Sequence, residues 1–340
     1  MTQNTEITIV IPVFNEGSNL SVLVDELRTL LFDLSACAEI IFVDDGSSDN
    51  TWNITFDLSS RESHPPNFIV KGLRLSRNFG KESAICAGLN HANGRAIVVM
   101  DGDLQHPPAL LSEMIKTWRS NEADIVEAVR VDNCQAGPLR RLLNAIFYGF
   151  YKIATRADLN GVTDFKLMDR RVLVAWRQML ERGVYFRGMT AWLGFSRKRI
   201  PFVVPKRMHG NSGWSNIALF AHACDAIVSF SVLPLRLVTI LGVLFLAFSI
   251  IIMFHTLAIK ILGLAFTGFS TVIILNLLTS GCIIFCLGLI GEYIGKIYAE
   301  VKFRPRYLIY ETIGLECCQK TTESSPDEHS EKFENTAIIK

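Results

Sequence analysis

The chain has 340 residues, of which 49% are hydrophobic and 20% charged, and its mean hydropathy is +0.29. This composition excludes a disordered or collagen-like protein and leaves room for a domain of about 200 to 250 residues plus a further segment. The net charge is only +1, but residues 130–215 carry sixteen basic and five acidic side chains, which predicts an anionic partner for the middle of the chain.

The first 130 residues alternate between strand and helix patterns. Short apolar, β-branched runs predict strands at 7–13, 39–43, 68–75 and 96–100. Helical spacing of apolar residues predicts helices at 19–32 and 82–90. This rhythm is typical of a parallel sheet with right-handed crossovers, in which ligands bind at the carboxyl ends of the strands.

Acidic residues follow three of these strands. Glu16 follows the first, Asp44 and Asp45 end the second, and Asp101 and Asp103 come directly after the run at 96–100. Three acidic groups at one edge of a sheet repel each other, so we expect a cation there, Mg²⁺ or Mn²⁺ bound to a diphosphate. If the strand geometry continues, Asp101 and Asp103 point the same way.

Several common catalytic motifs are missing from the sequence. It has no P-loop, no G-x-G-x-x-G after the first strand and no G-x-S-x-G elbow. The seven histidines show no zinc-ligand spacing. These observations disfavour a Walker-type NTPase, a dinucleotide-dependent enzyme, a serine hydrolase and a zinc enzyme.

Two long apolar segments lie near the C-terminus. Residues 237–259 and 261–291 carry no formal charge. The first covers about 34 Å as a helix, enough to cross a membrane core of about 30 Å. We predict transmembrane helices at about 235–258 and 268–292, with a buried hairpin of a soluble protein as the alternative. Basic residues flank both segments and no signal peptide precedes them, so we expect both ends of the hairpin and both termini to be cytoplasmic.

Five motifs occur in an order that resembles a known family. They are IPVFNE at 11–16, VDDGSSDNT at 43–51, RNFGKESAICAGL at 77–89, DGDLQHPP at 101–108 and DFKLMDRRV at 164–172. With PLRLVTILG at 234–242 and LGLIGEYIGKIYAEVKFRPRY at 287–307, the sequence resembles the family 2 glycosyltransferases. Within that family it is similar to the polyprenyl-phosphate branch, which includes GtrB-like bactoprenol glucosyltransferases and dolichol-phosphate mannose synthases.

The resemblance implies a particular domain organisation. It predicts an α/β domain of the GT-A fold at 1–230, with membrane-surface helices at about 139–153 and 215–230. The amphipathic pattern at 139–153 alone fits a soluble helix equally well. A hairpin at 235–292 and a juxtamembrane cytoplasmic segment at 293–316 follow. The polar, acidic residues 317–340 are predicted to be a disordered tail.

The resemblance also implies roles for individual residues. The nucleotide sugar is expected to contact Pro12, Phe14, Glu16, Val43, Asp45, Asp101, Gly102, Gln105, Arg130 and Arg207. Asp101 and Asp103 are expected to hold the metal, and Asp103 and Asp164 to be catalytic. Asp164 is either a base or an orienting group, and the alternative is a helix N-cap, because an apolar helical pattern runs from Phe165 to Leu180. The lipid phosphate is expected to contact Arg140, Arg141, Lys206 and Ser212; Gly213 stands where the family often has lysine.

The activity implied by the resemblance is an inverting, metal-dependent transfer of one hexose at the cytoplasmic face of the inner membrane. The expected donor is UDP-glucose and the expected acceptor undecaprenyl phosphate, with the product used for glycan or O-antigen modification. GDP-mannose, a UDP-aminoarabinose type and a UDP-N-acetylhexosamine are the alternative donors, and an inactive scaffold or flippase partner is the alternative of another class. Expected partners are a flippase, a downstream transferase and a second copy of the chain, but no nucleic acid.

Overall fold

The computed structural model describes residues 5–61, 65, 67–103, 107–131, 161–181, 183, 185–203, 233–262 and 269–315. Strands within these ranges are β1 Ile7–Val13, β2 Ala38–Asp44, β3 Phe68–Leu75, β4 Ala96–Val99, β5 Ile125–Arg130, β6 Val162–Asp169, β7 Arg197–Phe202 and β8 Ile309–Ile313. Helices are α1 Gly17–Asp33, α2 Thr51–Ser59, α3 Lys81–His91, α4 Pro108–Arg119, α5 Arg170–Arg177, α6 Phe186–Trp192, α7 Leu233–Ile261 and α8 Phe269–Val301.

All eight strands form one mixed sheet in the order β7-β5-β6-β4-β1-β2-β3-β8. The strands β4, β1, β2 and β3 are parallel, as predicted. The strand β6 runs antiparallel to both β4 and β5, and β8 runs antiparallel to β3. The carboxyl ends of β1, β2, β4 and β5 therefore lie at one edge of the sheet.

The sheet is covered on both faces, which explains the continuous apolar runs of its central strands. Every residue of β1 and β2 is buried. Alternate residues of β1 face opposite sides, so that Ile9 and Ile11 belong to the apolar layer that contains residues of α1 and α4, while Val10 belongs to the layer that contains residues of α3, α5 and α6. The core thus consists of two apolar layers, and the sheet edge between them is left to polar residues.

Two local predictions are corrected by the structure. The apolar pattern that begins at Phe165 is not a continuous helix, because residues up to Asp169 form β6 and only then does α5 begin. Asp169, not Asp164, accepts a capping hydrogen bond, from the Arg171 amide at 3.0 Å. A buried apolar run cannot be assigned from periodicity alone, and here pairing with β4 and β5 decides its conformation. The strand β4 also ends at Val99, so the extended geometry expected to align Asp101 with Asp103 is not continued.

The two apolar segments form the long helices α7 and α8. Within them Val238–Ile259 and Leu275–Val301 are long and apolar enough to cross a membrane, with mean hydropathies of 2.5 and 1.9. Neither stretch is buried against the rest of the described chain. That exposure of apolar side chains disfavours the alternative of a buried hairpin in a soluble protein.

The segment after α8 returns to the sheet, which the sequence did not predict. Its strand β8 pairs with β3, and the Ser76 amide donates to the Leu308 carbonyl oxygen at 2.9 Å. Arg306 donates to the Met179 carbonyl oxygen at 2.7 Å, and the Asn90 amide donates to the Tyr307 hydroxyl at 2.9 Å. The predicted juxtamembrane segment is therefore partly built into the α/β domain.

Candidate active site

The loops after β1 and β2 are joined by hydrogen bonds that fix this edge of the sheet. The Asn15 amide donates to the Ser47 hydroxyl at 2.9 Å, and the Glu16 amide donates to the Thr51 hydroxyl at 3.1 Å. Asn15 has a φ of 55°, a left-handed conformation that asparagine tolerates better than most residues. These contacts hold the residues after β1 against those after β2.

Glu16 lies against the loop after β4. A Cβ atom built at Gly102 would be 2.6 Å from Glu16 Oε2, so only glycine fits at this position without displacing the carboxyl group. Glu16 Oε2 is buried and has no hydrogen-bond partner among the described residues. Burial, together with the charges of Asp103 and Asp101, raises the pKa of Glu16 to about 7. The expected gathering of acidic groups at this edge is present.

Asp164 reaches the same edge because β6 runs antiparallel to β4. Val99 lies opposite Lys166, so the residues just before Lys166 lie beside those just after Val99. The Asp164 carboxylate is buried, accepts two hydrogen bonds from Arg187 at 2.6 and 3.0 Å, and accepts a third from Lys81 at 2.8 Å. Burial alone would raise the pKa of Asp164, but these two cations outweigh it and hold that pKa well below its usual range.

Lys81 links the carboxylate of Asp164 to that of Asp101, which follows β4. Its Nζ lies 2.5 Å from Asp101 Oδ1 and 2.8 Å from Asp164 Oδ2. Burial would lower the pKa of Lys81, but Asp164 and Asp101 raise it above its ordinary value, so the side chain is an ammonium. The site therefore contains a chain of alternating charges that runs from Asp101 through Lys81 and Asp164 to Arg187.

Asp45 fixes the loop from which Lys81 projects. Its carboxylate accepts hydrogen bonds from the Phe79 amide at 2.7 Å and the Gly80 amide at 2.8 Å. Burial raises the pKa of Asp45, and the two amides offset part of that effect. Gly80 has a φ of 92°, a conformation that side chains rarely adopt. Asp45 thus positions the start of α3, and its expected contact with the nucleotide stays a prediction.

The structure also brings Glu82 to this cluster. Glu82 accepts a hydrogen bond from the Phe186 amide at 2.9 Å, and so joins α3 to the start of α6. Burial and the nearby charge of Asp164 raise the pKa of Glu82 to about 7. Lys81 and Glu82 lie in the RNFGKE motif, which was available to sequence reasoning, whereas nothing around Arg187 marked it as a partner of Asp164.

The other predicted residues are distributed as follows. Pro12 and Val43 are buried within β1 and β2, Phe14 is 44% exposed just after β1, and Arg130 is an exposed residue at the end of β5. All four lie at or near the carboxyl edge of the sheet, although none of them belongs to the charged cluster. Predictions on Gln105, Arg140, Arg141, Lys206, Arg207, Ser212, the surface helices and the tail lie outside the described residues.

The oxygen donors at this edge fit a hard divalent cation. Asp101, Asp103 and the unpartnered Oε2 of Glu16 are of the ligand type that Mg²⁺ and Mn²⁺ prefer. Within the described part of the chain, no three histidine, cysteine or acidic side chains lie together in a way that could hold a metal ion. A divalent cation held at this edge would need further ligands, such as phosphate oxygens and water.

The chain is similar in sequence to known protein families and to named proteins. A family model described as Glycosyl transferase family 2 matches residues 8–173, and one described as GtrB C-terminal hairpin matches residues 233–297. The putative glycosyltransferase CsbB of Bacillus subtilis (strain 168) is 38% identical over 308 residues, 90% of this chain and 91% of the relative. The SfII prophage-derived bactoprenol glucosyl transferase of Shigella flexneri is 34% identical over 306 residues, 89% of this chain and 97% of the relative.

A solved structure also aligns with the chain. It is glucosyl-3-phosphoglycerate synthase from Mycobacterium tuberculosis in complex with Mn²⁺, uridine diphosphate and glucosyl-3-phosphoglycerate, at 17% identity and a TM-score of 0.45 over 66% of this chain and 78% of that one. The family match and the mixed sheet confirm the predicted resemblance and the predicted GT-A fold.

Proposed function

Since the chain belongs to glycosyl transferase family 2 and is a glycosyltransferase, we propose that it transfers one hexose from a nucleotide sugar to a polyprenyl phosphate. Glucose from UDP-glucose is the proposed donor group and undecaprenyl phosphate the proposed acceptor. The matched C-terminal hairpin and the relatives named bactoprenol glucosyl transferase support this choice. The lipid-linked sugar formed inside the cell then requires a flippase and a second transferase to reach a glycan such as O-antigen.

One observation carries the proposal: the charged cluster that Lys81 holds together at the carboxyl edge of the sheet. It joins Asp101, which follows β4, to Asp164 in β6. A diphosphate sugar needs cations for its phosphates and fixed carboxylates around its reacting carbon. The cluster brings fixed carboxylates together at this edge, in a chain whose C-terminal helices suit a lipid-bound acceptor.

The acidic residues and Arg130 have separate roles in the proposed reaction. Asp101 and Asp103, with Glu16 beside them, would hold Mg²⁺ or Mn²⁺, which would supply positive charge to the diphosphate leaving group. Arg130 lies at the same edge of the sheet and adds positive charge there. A leaving group that gains negative charge is stabilised by such preorganised cations.

Asp164 acts in this proposal as an orienting group and not as a general base. Arg187 and Lys81 already donate hydrogen bonds to both of its oxygens, and their charges hold its pKa well below the range in which a carboxylate accepts protons near neutral pH. The acceptor, a phosphate monoester, is itself an anion at that pH. The reaction therefore needs a fixed negative charge near the sugar more than it needs a base. The proposed transfer inverts the configuration at the sugar carbon.

The strand β8 supports the proposed membrane topology. It follows α8 along the chain but pairs with β3, which precedes α7. The residues on either side of the helix pair thus belong to one domain and must lie on the same side of the membrane. With the basic flanks of the helices, this favours a cytoplasmic domain and cytoplasmic termini. A fluorescent protein fused to the C-terminus is therefore expected to lie inside the cell and to fluoresce there.

The proposed activity is tested by presenting membranes that contain the chain with a panel of labelled nucleotide sugars. We expect the label from UDP-glucose to enter the lipid fraction. Asp103→Asn should reduce this transfer by orders of magnitude. Lys116→Gln, a charge change on the exposed side of α4, is the matched control and should keep full activity. Transfer should also stop in excess EDTA.

Other outcomes decide between the alternatives. Transfer from GDP-mannose, a UDP-aminoarabinose type or a UDP-N-acetylhexosamine would keep the reaction and change the donor. If no label enters the lipid with either bacterial or dolichyl acceptors, and Asp103→Asn keeps its cellular role, the chain would be an inactive scaffold and the proposal would be wrong.

A further inference from the structure

Lys81 has no direct role in the transfer as proposed above, yet it is the cation at the centre of the site. It is the first residue of α3 and its ammonium contacts Asp101 Oδ1 at 2.5 Å and Asp164 Oδ2 at 2.8 Å. The side chain is 43% exposed, so it is accessible at the carboxyl edge of the sheet. One flexible ammonium thus neutralises a proposed metal ligand and the orienting carboxylate together.

The fold does not need this ammonium to hold α3 in place. The backbone before the helix is fixed by Asp45, through the amides of Phe79 and Gly80. Residues 84–89 of the helix are buried against the sheet. A cation in the first turn of a helix is also unfavourable, because the helix dipole is positive there. A lysine in this unfavourable position, at a polar edge of the sheet, is more typical of a functional residue than of one that stabilises the fold.

We propose that Lys81 is a positioning residue that takes the place of the metal beside Asp101 before the donor arrives, and that metal binding displaces it from Asp101 while it stays on Asp164. The inference rests on the proposed metal-dependent transfer. In the donor-free protein the ammonium keeps the carboxylates from repelling each other. Once the metal and the diphosphate are bound, Asp101 changes partners and Lys81 continues to orient Asp164.

The proposal has a measurable consequence without any donor. An ammonium and a divalent cation are both attracted to the same carboxylate oxygen but repel each other, so Lys81 weakens metal binding to the donor-free protein. Removal of the positive charge should therefore strengthen metal binding, whereas a residue needed only for folding would have the opposite effect or none. The same variant should transfer sugar more slowly, because Asp164 loses one of its two cations.

The test is a titration of the full-length chain in detergent with Mn²⁺ alone, in which free Mn²⁺ is measured by electron paramagnetic resonance. We expect Lys81→Gln to lower the Kd for Mn²⁺ about tenfold, since one partly exposed positive charge next to the ion is removed. Lys81→Met should behave in the same way, and Lys81→Arg, which keeps the charge, should match the natural chain. Lys116→Gln should leave the Kd unchanged, and Asp103→Asn should raise it. Thermal unfolding of each variant identifies any that fail to fold.

Two results would overturn the inference. If Asp103→Asn weakens Mn²⁺ binding but both neutral Lys81 variants bind as the natural chain does or more weakly, the metal site exists and Lys81 does not compete for it. If neither the natural chain nor the neutral variants bind Mn²⁺, the inference fails together with the proposed metal dependence. The first result leaves the proposed transferase intact, so the two failures are distinguishable.

Discussion

Arg187→Gln is the substitution that most directly tests the role of the buried Asp164. In the natural chain the guanidinium donates two hydrogen bonds to this carboxylate, at 2.6 and 3.0 Å, and Lys81 donates the third. Glutamine fills part of the space of the arginine side chain but removes one of the two positive charges beside Asp164. We expect slower transfer and a new dependence of the rate on pH.

The size of the effect follows from the geometry. Removal of one partner of a buried ion pair costs about 3–5 kcal/mol, and the lower figure applies here because solvent screens a guanidinium that is 34% exposed. At about 1.4 kcal/mol per pKa unit, the pKa of Asp164 should rise by about 2 units. In the natural chain Asp164 remains ionised throughout the pH range of an assay. In the variant this pKa returns towards the ordinary carboxyl value of about 4, so activity should begin to fall at the acid end of the assay, near pH 4, where the natural chain is still active.

The assay is the initial rate of label transfer to lipid between pH 4 and pH 9, together with thermal unfolding over the same range. The depressed pKa of Asp164 stabilises the natural fold above the ordinary carboxyl pKa of about 4, and that stability is lost as the pH falls. Arg187→Gln should therefore lower the unfolding temperature most at neutral pH and less in acid. Arg197→Gln, an exposed arginine of β7, is the control. A rate within threefold of the natural chain and an unchanged pH profile would refute the role of Arg187.

Three further predictions concern other parts of the molecule. Gly102→Ala should raise the KM for the donor at least tenfold, because its Cβ would lie 2.6 Å from Glu16 Oε2, whereas Gly183→Ala, which meets nothing within 4 Å, should not. Glu82 has a pKa raised to about 7, so its burial costs stability as the pH rises from 4.5 through 7. The free energy of unfolding of Glu82→Gln should exceed that of the natural chain at pH 8 by at most about 3 kcal/mol, and the two should be nearly equal near pH 4.5. A constant difference at every pH would contradict this assignment. Arg306→Ala removes hydrogen bonds to a carbonyl oxygen and a thiol of the α/β domain, and chymotrypsin, which cuts after residues such as Phe303 and Tyr307, should then cleave the segment between α8 and β8 faster; equal cleavage would show that β8 does not depend on Arg306.

The sequence by itself determined the elements whose signals are local. The strands β1 and β3 match their predicted bounds, and α1 and α3 extend one or two residues beyond theirs. The apolar patterns of β1 and α1 are clear because β1 is buried on both faces and α1 on one. The acidic residues after β1, β2 and β4 were predicted to meet at one edge of the sheet, and the parallel pairing confirms this. The two long apolar helices were predicted from a count of uncharged residues alone.

Only the tertiary structure decided which distant residues complete the site. The direction of β6 brings Asp164 beside Asp101, although 63 positions separate them, and no local pattern distinguishes this strand from the helix that was predicted. The ion pairs of Arg187 and Lys81 depend on how α6 and α3 pack, and the return of β8 to the sheet depends on an open edge at β3. Periodicity reports burial within one element, whereas the contacts between elements depend on the order and direction of strands, which a single sequence does not encode locally.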